Sequence, residues 1–167
     1  MPDIVEIPAS LRRITVGREG SAGEAWLGSL PGLIDELLQR WDCVPAGSPV
    51  SGKVGIIVPA TSPVYGDVVL KVSFPHPANV HEPDAYATWN GRGAVAMCAR
   101  DDASFAMLLE RIDSVRPVEA VLVDGQITAA VVDAAIGIAG ALARTLAVPA
   151  PAHLPRVAEQ AAEWADK

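Results

Sequence analysis

Val68-Val69-Leu70-Lys71-Val72-Ser73-Phe74 is the stretch on which the fold turns. Alternation puts Val68, Leu70, Val72 and Phe74 on one face of a β-strand and leaves Lys71 with Val69 and Ser73 on the other. A strand of that composition needs a core under its apolar face. The lysine then has two readings: a solvent-facing cation on a half-buried strand, or a point charge kept for an anionic ligand. Beyond the proline-broken turn Pro75-His76-Pro77, His81-Glu82 brings a carboxylate on the next element.

Short β-type runs at 42–49 and 53–60 precede this strand, itself bounded as 67–74, and Thr61 to Asp67 reads as a hairpin-like connection. The three runs form an antiparallel meander. Residues 78–90 have helical character ending near Asn90-Gly91, and strand-like runs return at 93–99 and 105–112 across the turn Arg100-Asp101-Asp102-Ala103-Ser104. The predicted order is β-β-β-α-β-β.

Residues 1–20 define no element, but Ser21-Ala22-Gly23-Glu24 fits a capping box that opens a helix. Trp26, Leu27, Leu30, Leu33, Ile34, Leu37, Leu38 and Trp41 then recur at spacings of three and four, so one face of 22–41 must dock on something. Pro31 is expected to kink or divide this helix. After a mixed connection at 113–126, Thr128 is a plausible N-cap for a helix to about Ala147, with Val131, Val132, Ala135, Ile138 and Leu142 facing inward. Pro155 to Ala165 reads as a last helix.

With 167 residues, half of them hydrophobic, the chain can build a sizeable core. A net charge of -7 argues against a nucleic-acid binder, because neutralising phosphates needs a basic surface. Cys43 and Cys98, far apart and only two, point to reduced buried thiols and to no disulfide framework or zinc site. The start Met1-Pro2-Asp3-Ile4 carries no secretion signal. The longest apolar stretch, Ala129 to Pro149, is interrupted by Asp133 and Arg144, which favours a buried helix over a membrane span. A cytoplasmic protein without membrane association is the expectation.

The run Gly47 to Lys53 matches the spacing of a phosphate-binding P-loop, yet Val54 stands where a magnesium-binding hydroxyl belongs. The adjoining Gly55-Ile56-Ile57-Val58 is strand-like, whereas a P-loop must open a helix. The glycines of the run could still cover a nucleotide as a turn between two strands. Lys71 is the stronger candidate for a phosphate cation, with Glu82 as the carboxylate that orients it; an ordinary exposed helix acid is the alternative for Glu82.

Several separated segments together resemble the aminoglycoside/hydroxyurea antibiotic resistance kinase family. They are Val69-Leu70-Lys71-Val72, Pro75-His76-Pro77, His81-Glu82 with Trp89, Asn90-Gly91-Arg92-Gly93-Ala94-Val95 and Met107-Leu108-Leu109-Glu110-Arg111. The resemblance runs from about Trp26 onward. It implies an α+β, protein-kinase-like N-terminal lobe, a five-stranded antiparallel sheet with a crossing helix that clamps ATP beneath a glycine loop. It further implies that Lys71 holds the α- and β-phosphates and Glu82 orients it. Leu109 would take the gatekeeper position, the Glu110 carbonyl would accept from the adenine amine, and the Ile112 amide would donate to the ring. Pro83 suits the first turn of a helix, which makes Glu82 a cap residue and leaves its reach to Lys71 open.

The resemblance divides the chain into a helical segment at 1–41, a nucleotide-binding lobe at 42–113, and a hinge with the first helices of a second lobe at 114–167. Family members also carry a His-x-Asp…Asn catalytic loop and a metal-binding Asp. His76, His81 and His153 stand in no such loop, so the sequence offers no catalytic residue and no metal ligand, although ATP with magnesium is implied. The expected function is the ATP-binding part of a small-molecule phosphotransferase acting on an alcohol group, an aminoglycoside being one candidate, inactive as a truncated chain. The competing reading is a non-catalytic remnant that binds a partner or self-associates through apolar helical faces after Thr128.

Overall fold

A computed structural model describes residues 5–77, 79–112 and 128–155. The elements run α1 (Ala9–Arg40), β1 (Val44–Pro45), β2 (Val50–Ser51), β3 (Gly55–Ser62), β4 (Gly66–Ser73), α2 (Glu82–Trp89), β5 (Met97–Asp101), β6 (Ala106–Glu110) and α3 (Ala129–Leu146). The fold is α+β with an open, wholly antiparallel sheet in the order β1-β3-β4-β6-β5, and β2 also pairs with β3.

Among the described residues the sheet has six strands rather than the expected five. The expected first strand, 42–49, is broken: Val44–Pro45 pairs with Ala60 and Thr61, and Val50–Ser51 pairs with Ile56 and Ile57 along the same strand. Pro45 and Pro49 lack the amide that a continuous ladder needs, so the chain leaves the edge and returns to it. The predicted hairpin is present, with β3 and β4 in register from Gly55↔Ser73 to Ser62↔Gly66.

Val68, Leu70 and Val72 are fully buried, as the alternation requires, and with Ile56, Val58, Ala60, Ala106 and Leu108 they form one sheet face. Leu11, Leu27, Leu30, Ile34, Leu37 and Leu38 of α1 pack on that face as a single core. Each of these large side chains contributes about 1.5–3 kcal/mol when buried. That sum exceeds the roughly 3 kcal/mol cost of a helix-interior proline, and Pro31 neither divides α1 nor leaves a non-helical residue in it.

The break falls at Gly20 instead, at φ 58° and ψ -133°. This is backbone that glycine alone adopts easily. The chain folds back there, so that a Cβ on Gly23 would lie 2.8 Å from the Thr15 carbonyl oxygen. Gly20, one residue before the predicted cap Ser21, is therefore where the longer leg begins. Ser21 and Glu24 lie within α1, whose N-cap is Pro8, so the expected capping box does not open the helix. Residues 9–19, which sequence alone left without an element, form the first helical leg.

Thr128 caps α3, its hydroxyl accepting from the Val131 amide at 3.3 Å. The expectation that this helix is buried fails. None of its residues is buried; Val132, Ile138 and Leu142 are exposed and Val131 and Ala135 only partly covered. Its apolar side chains share one broad side and Asp133 and Arg144 lie on the other, so the helix is amphipathic and its apolar face is left uncovered among the described residues. By length and composition it is the one described helix apolar enough to cross a membrane. Cys43 is buried and Cys98 half-buried, both free, and burial pushes both thiols up. The expected helix at 155–165 and connection at 113–126 lie almost wholly outside the described residues.

Candidate functional site

The sheet face opposite α1 carries the candidate site. Antiparallel register sets Lys71 between Ile57 on β3 and Met107 on β6, and the next pair on this face, Val69 and Leu109, lies one two-residue step away, roughly 6.5 Å. Ile57 and Val69 are half-buried, Met107 and Leu109 buried. The cation therefore stands at one end of an apolar floor.

α2 begins at Glu82, with Pro83 in its first turn where the missing amide costs nothing. His81, not Glu82, takes the cap position, and Glu82 as the first helical residue reaches the lysine: its Oε1 accepts from Lys71 Nζ. Both side chains are partly buried, at 20% and 26% exposure, so the pair is held in the fold yet open on one side. A compact ammonium with three donors, one of them taken by Glu82, can still face an anion.

Along β6, Leu109 is 4% exposed, and beyond the strand's end Ile112 is 64% exposed. The Glu110 amide donates to the Ala96 carbonyl at 2.9 Å, and its Oε2 accepts from the Ala96 amide at 3.0 Å. Sequence reasoning assigned nothing to that carboxylate; it ties the end of β6 to the segment leading into β5.

The glycine-rich run before β3 opens no helix, which removes the P-loop reading. Gly52 donates to the Gly55 carbonyl at 2.8 Å in a tight turn between β2 and β3. Gly55 is fixed by close approach: a Cβ there would lie 2.2 Å from the Val72 carbonyl oxygen. The turn is held by the first leg of α1, with Ser10 and Ser51 hydroxyls 2.7 Å apart and Arg18 Nη1 donating to the Lys53 carbonyl at 3.1 Å.

Sequence reasoning also missed Asp84. Its Oδ1 accepts from Arg100 Nη1 at 3.0 Å and its Oδ2 from His153 Nε2 at 3.1 Å. The His153 hydrogen bond, and then Arg100, hold this carboxyl below the usual carboxylate range against the opposing effect of burial. No local pattern could have revealed it, since the partners lie 16 and 69 residues away. One turn on from Glu82, burial chiefly, with the Glu82 charge, raises Tyr86. Among the described residues no group of three or more His, Cys, Asp or Glu side chains could hold a metal ion.

An antiparallel sheet with one lysine in a central strand, paired to a carboxylate at the start of the following helix, defines a lobe suited to gripping an anionic ligand. The profile of the aminoglycoside/hydroxyurea antibiotic resistance kinases matches residues 40–166, and the chain belongs to that family. It is 37% identical over 152 residues to a streptomycin 6-kinase of Streptomyces glaucescens, covering 90% of this chain and 47% of the relative. It is 35% identical over 159 residues to a hydroxyurea phosphotransferase of Kitasatospora aureofaciens, covering 95% and 45%. A streptomycin 6-kinase of Streptomyces griseus is 30% identical over 158 residues, covering 94% and 49%. The chain thus spans about half the length of the curated relatives it matches. No solved structure matches it.

Proposed function

We propose that this chain is the nucleotide-binding half of an ATP-dependent phosphotransferase that acts on an alcohol group of a small molecule such as an aminoglycoside. The observation that carries the reading is the Lys71–Glu82 pair, held partly buried beside apolar side chains on the sheet face opposite α1. Family membership supports it. In this reading residues 42–113 are a kinase-like lobe, 1–41 a helical segment sharing its core, and 114–167 a hinge and the start of a second lobe. A cytoplasmic location goes with ATP as donor.

The adenine ring would lie on Val69, Ile57 and Met107 beside Leu109, with the Glu110 carbonyl and the Ile112 amide as its backbone partners. The β2–β3 turn would cover the phosphates and Lys71 would neutralise them, its ammonium aimed by Glu82. ATP supplies the phosphoryl group. The residues described fit the phosphates but provide no metal cluster, so no step is assigned to magnesium. A catalytic base for the acceptor hydroxyl is likewise outside this reading of the chain, and transfer itself depends on it.

Calorimetry with a non-hydrolysable ATP analogue tests the proposal. Saturable binding by the wild type and its loss in Lys71→Ala are expected. Equal affinity of the two proteins would sink the assignment. The alternative of a self-associating, non-catalytic module is favoured by one observation, the unburied apolar surface of α3.

A further inference from the structure

We propose that Asp84 is a positioning residue: it clamps α2 between β5 and the segment after α3, and so keeps Glu82 on Lys71. This rests on the nucleotide-site reading and adds to it the part that sets the site's geometry. α2 has eight residues, too few to be stable or to fix its own orientation without tertiary ties. Its ties are therefore what place Glu82.

Asp84 supplies two of them from a position two residues past Glu82. Toward the sheet, its Oδ1 meets Arg100 Nη1 at 3.0 Å, and Arg100 is itself fixed by Asp102 through two hydrogen bonds of 2.8 Å. Toward the C-terminal side, its Oδ2 meets His153 Nε2 at 3.1 Å, with His81 Nδ1 at 3.7 Å completing the surroundings. A planar guanidinium on one oxygen and an imidazole on the other leave the carboxylate one orientation. An independent contact places the end of α3, from which that segment departs, against α2: Trp89 Nε1 donates to the Leu146 carbonyl at 3.2 Å. Ala85, Thr88 and Trp89 also face Val148, Pro151 and Leu154 across a cavity of about 180 Å³.

The consequence is a physical route from the segment after α3 to the phosphate cation. His153 and Leu146 hold α2 from one side, Arg100 from the other, and Glu82 projects from the same first turn onto Lys71. Loss of the clamp should leave the sheet and its core intact while Glu82 loses its fixed aim.

The experiment titrates the non-hydrolysable ATP analogue into wild type, Lys71→Ala, Glu82→Gln, Asp84→Asn and the double variant Glu82→Gln/Asp84→Asn, with amide exchange read in parallel. The expected result is binding weakened roughly three- to tenfold by Asp84→Asn, as suits a misaimed but present charge. Because Asp84 acts through Glu82, the double variant should bind no more weakly than Glu82→Gln alone. Amide exchange should rise in Glu82–Trp89 and in residues 146–154 and stay unchanged in β3 and β4. Additive losses, unchanged affinity in Asp84→Asn, or unchanged exchange in α2 would each overturn the clamp. If Lys71→Ala loses binding while Asp84→Asn does not, the clamp alone fails; if Lys71→Ala binds as the wild type, or the wild type does not bind, the nucleotide-site reading fails and the clamp with it. Should Asp84→Asn not fold, His153→Gln and Arg100→Gln cut the same two ties and carry the same expectations.

Discussion

At 20% and 26% exposure, Lys71 and Glu82 are partly desolvated, and the cost of taking both charges out of water offsets much of what their attraction gains. Their proximity therefore matters more for what it positions than for what it stabilises. Glu82→Gln is predicted to lower a urea unfolding free energy by less than the roughly 3–5 kcal/mol of a fully buried pair, because Lys71 keeps access to water, while measurably weakening binding of an ATP analogue. A large stability loss would mark the pair as structural. Asp84 gives a pH test with a definite sign. Its folded carboxyl is held below its ordinary value of 3.8, so its stabilising contribution is complete above that value and is lost as the pH falls through the lowered one. Asp101 adds to the same slope: burial opposes its ionisation, but the Ser104 and Ala103 amides and Arg40 outweigh that effect. Urea midpoints measured from pH 6 to pH 3 should fall for the wild type below about pH 4, and fall less steeply for Asp84→Asn. Parallel curves would contradict the assignment.

Among the elements, β3 and α1 depend on single glycines for opposite reasons. Gly55 lacks room, since its Cβ would meet backbone that cannot move without parting β3 from β4; Gly20 has room but needs a left-handed φ. Gly55→Ala is predicted to cost about 1–3 kcal/mol or more, and Gly20→Ala about 1–3 kcal/mol, both read by urea unfolding. Gly52→Ala, where the nearest atom would lie at an ordinary 3.5 Å, should cost the least of the three if close approach is the cause. These sites also mark what sequence could convey. Period-two alternation is local, so β4 and the side of it bearing Lys71 could be read directly, and Asn90 at φ 48° ends α2 where the Asn-Gly pair said it would. Pro31 against Gly20 could not be decided locally. The burial of Leu27, Leu30, Ile34 and Leu37 against the sheet carries the helix through the proline, and only the tertiary fold shows that the chain must reverse before Gly23. The same holds at the site: lysine and carboxylate were legible as residue types, whereas their contact, the Glu110 tie to Ala96 and the Asp84 clamp arise from pairing distant segments.

For the molecule as a whole, one core joins α1 to the sheet, and α3 stands outside it with an apolar surface uncovered among the described residues. Val132, Ile136, Ile138 and Leu142 are 41% to 64% exposed, an arrangement that favours burial against something. As a 167-residue chain the protein is predicted to associate with itself in a concentration-dependent way in sedimentation velocity, and Ile136→Glu with Leu142→Glu should shift it toward monomer. A wild type monomeric at high concentration would contradict this. At the other end of the fold, the proposal is that Lys71 in the sheet and Glu82 on a short helix form half of a phosphotransferase site. Calorimetric titration of an ATP analogue into wild type and Lys71→Ala, with far-UV circular dichroism showing both folded, tests it most directly: saturable binding lost with the lysine is the predicted result, and equal affinity in the two proteins would contradict it.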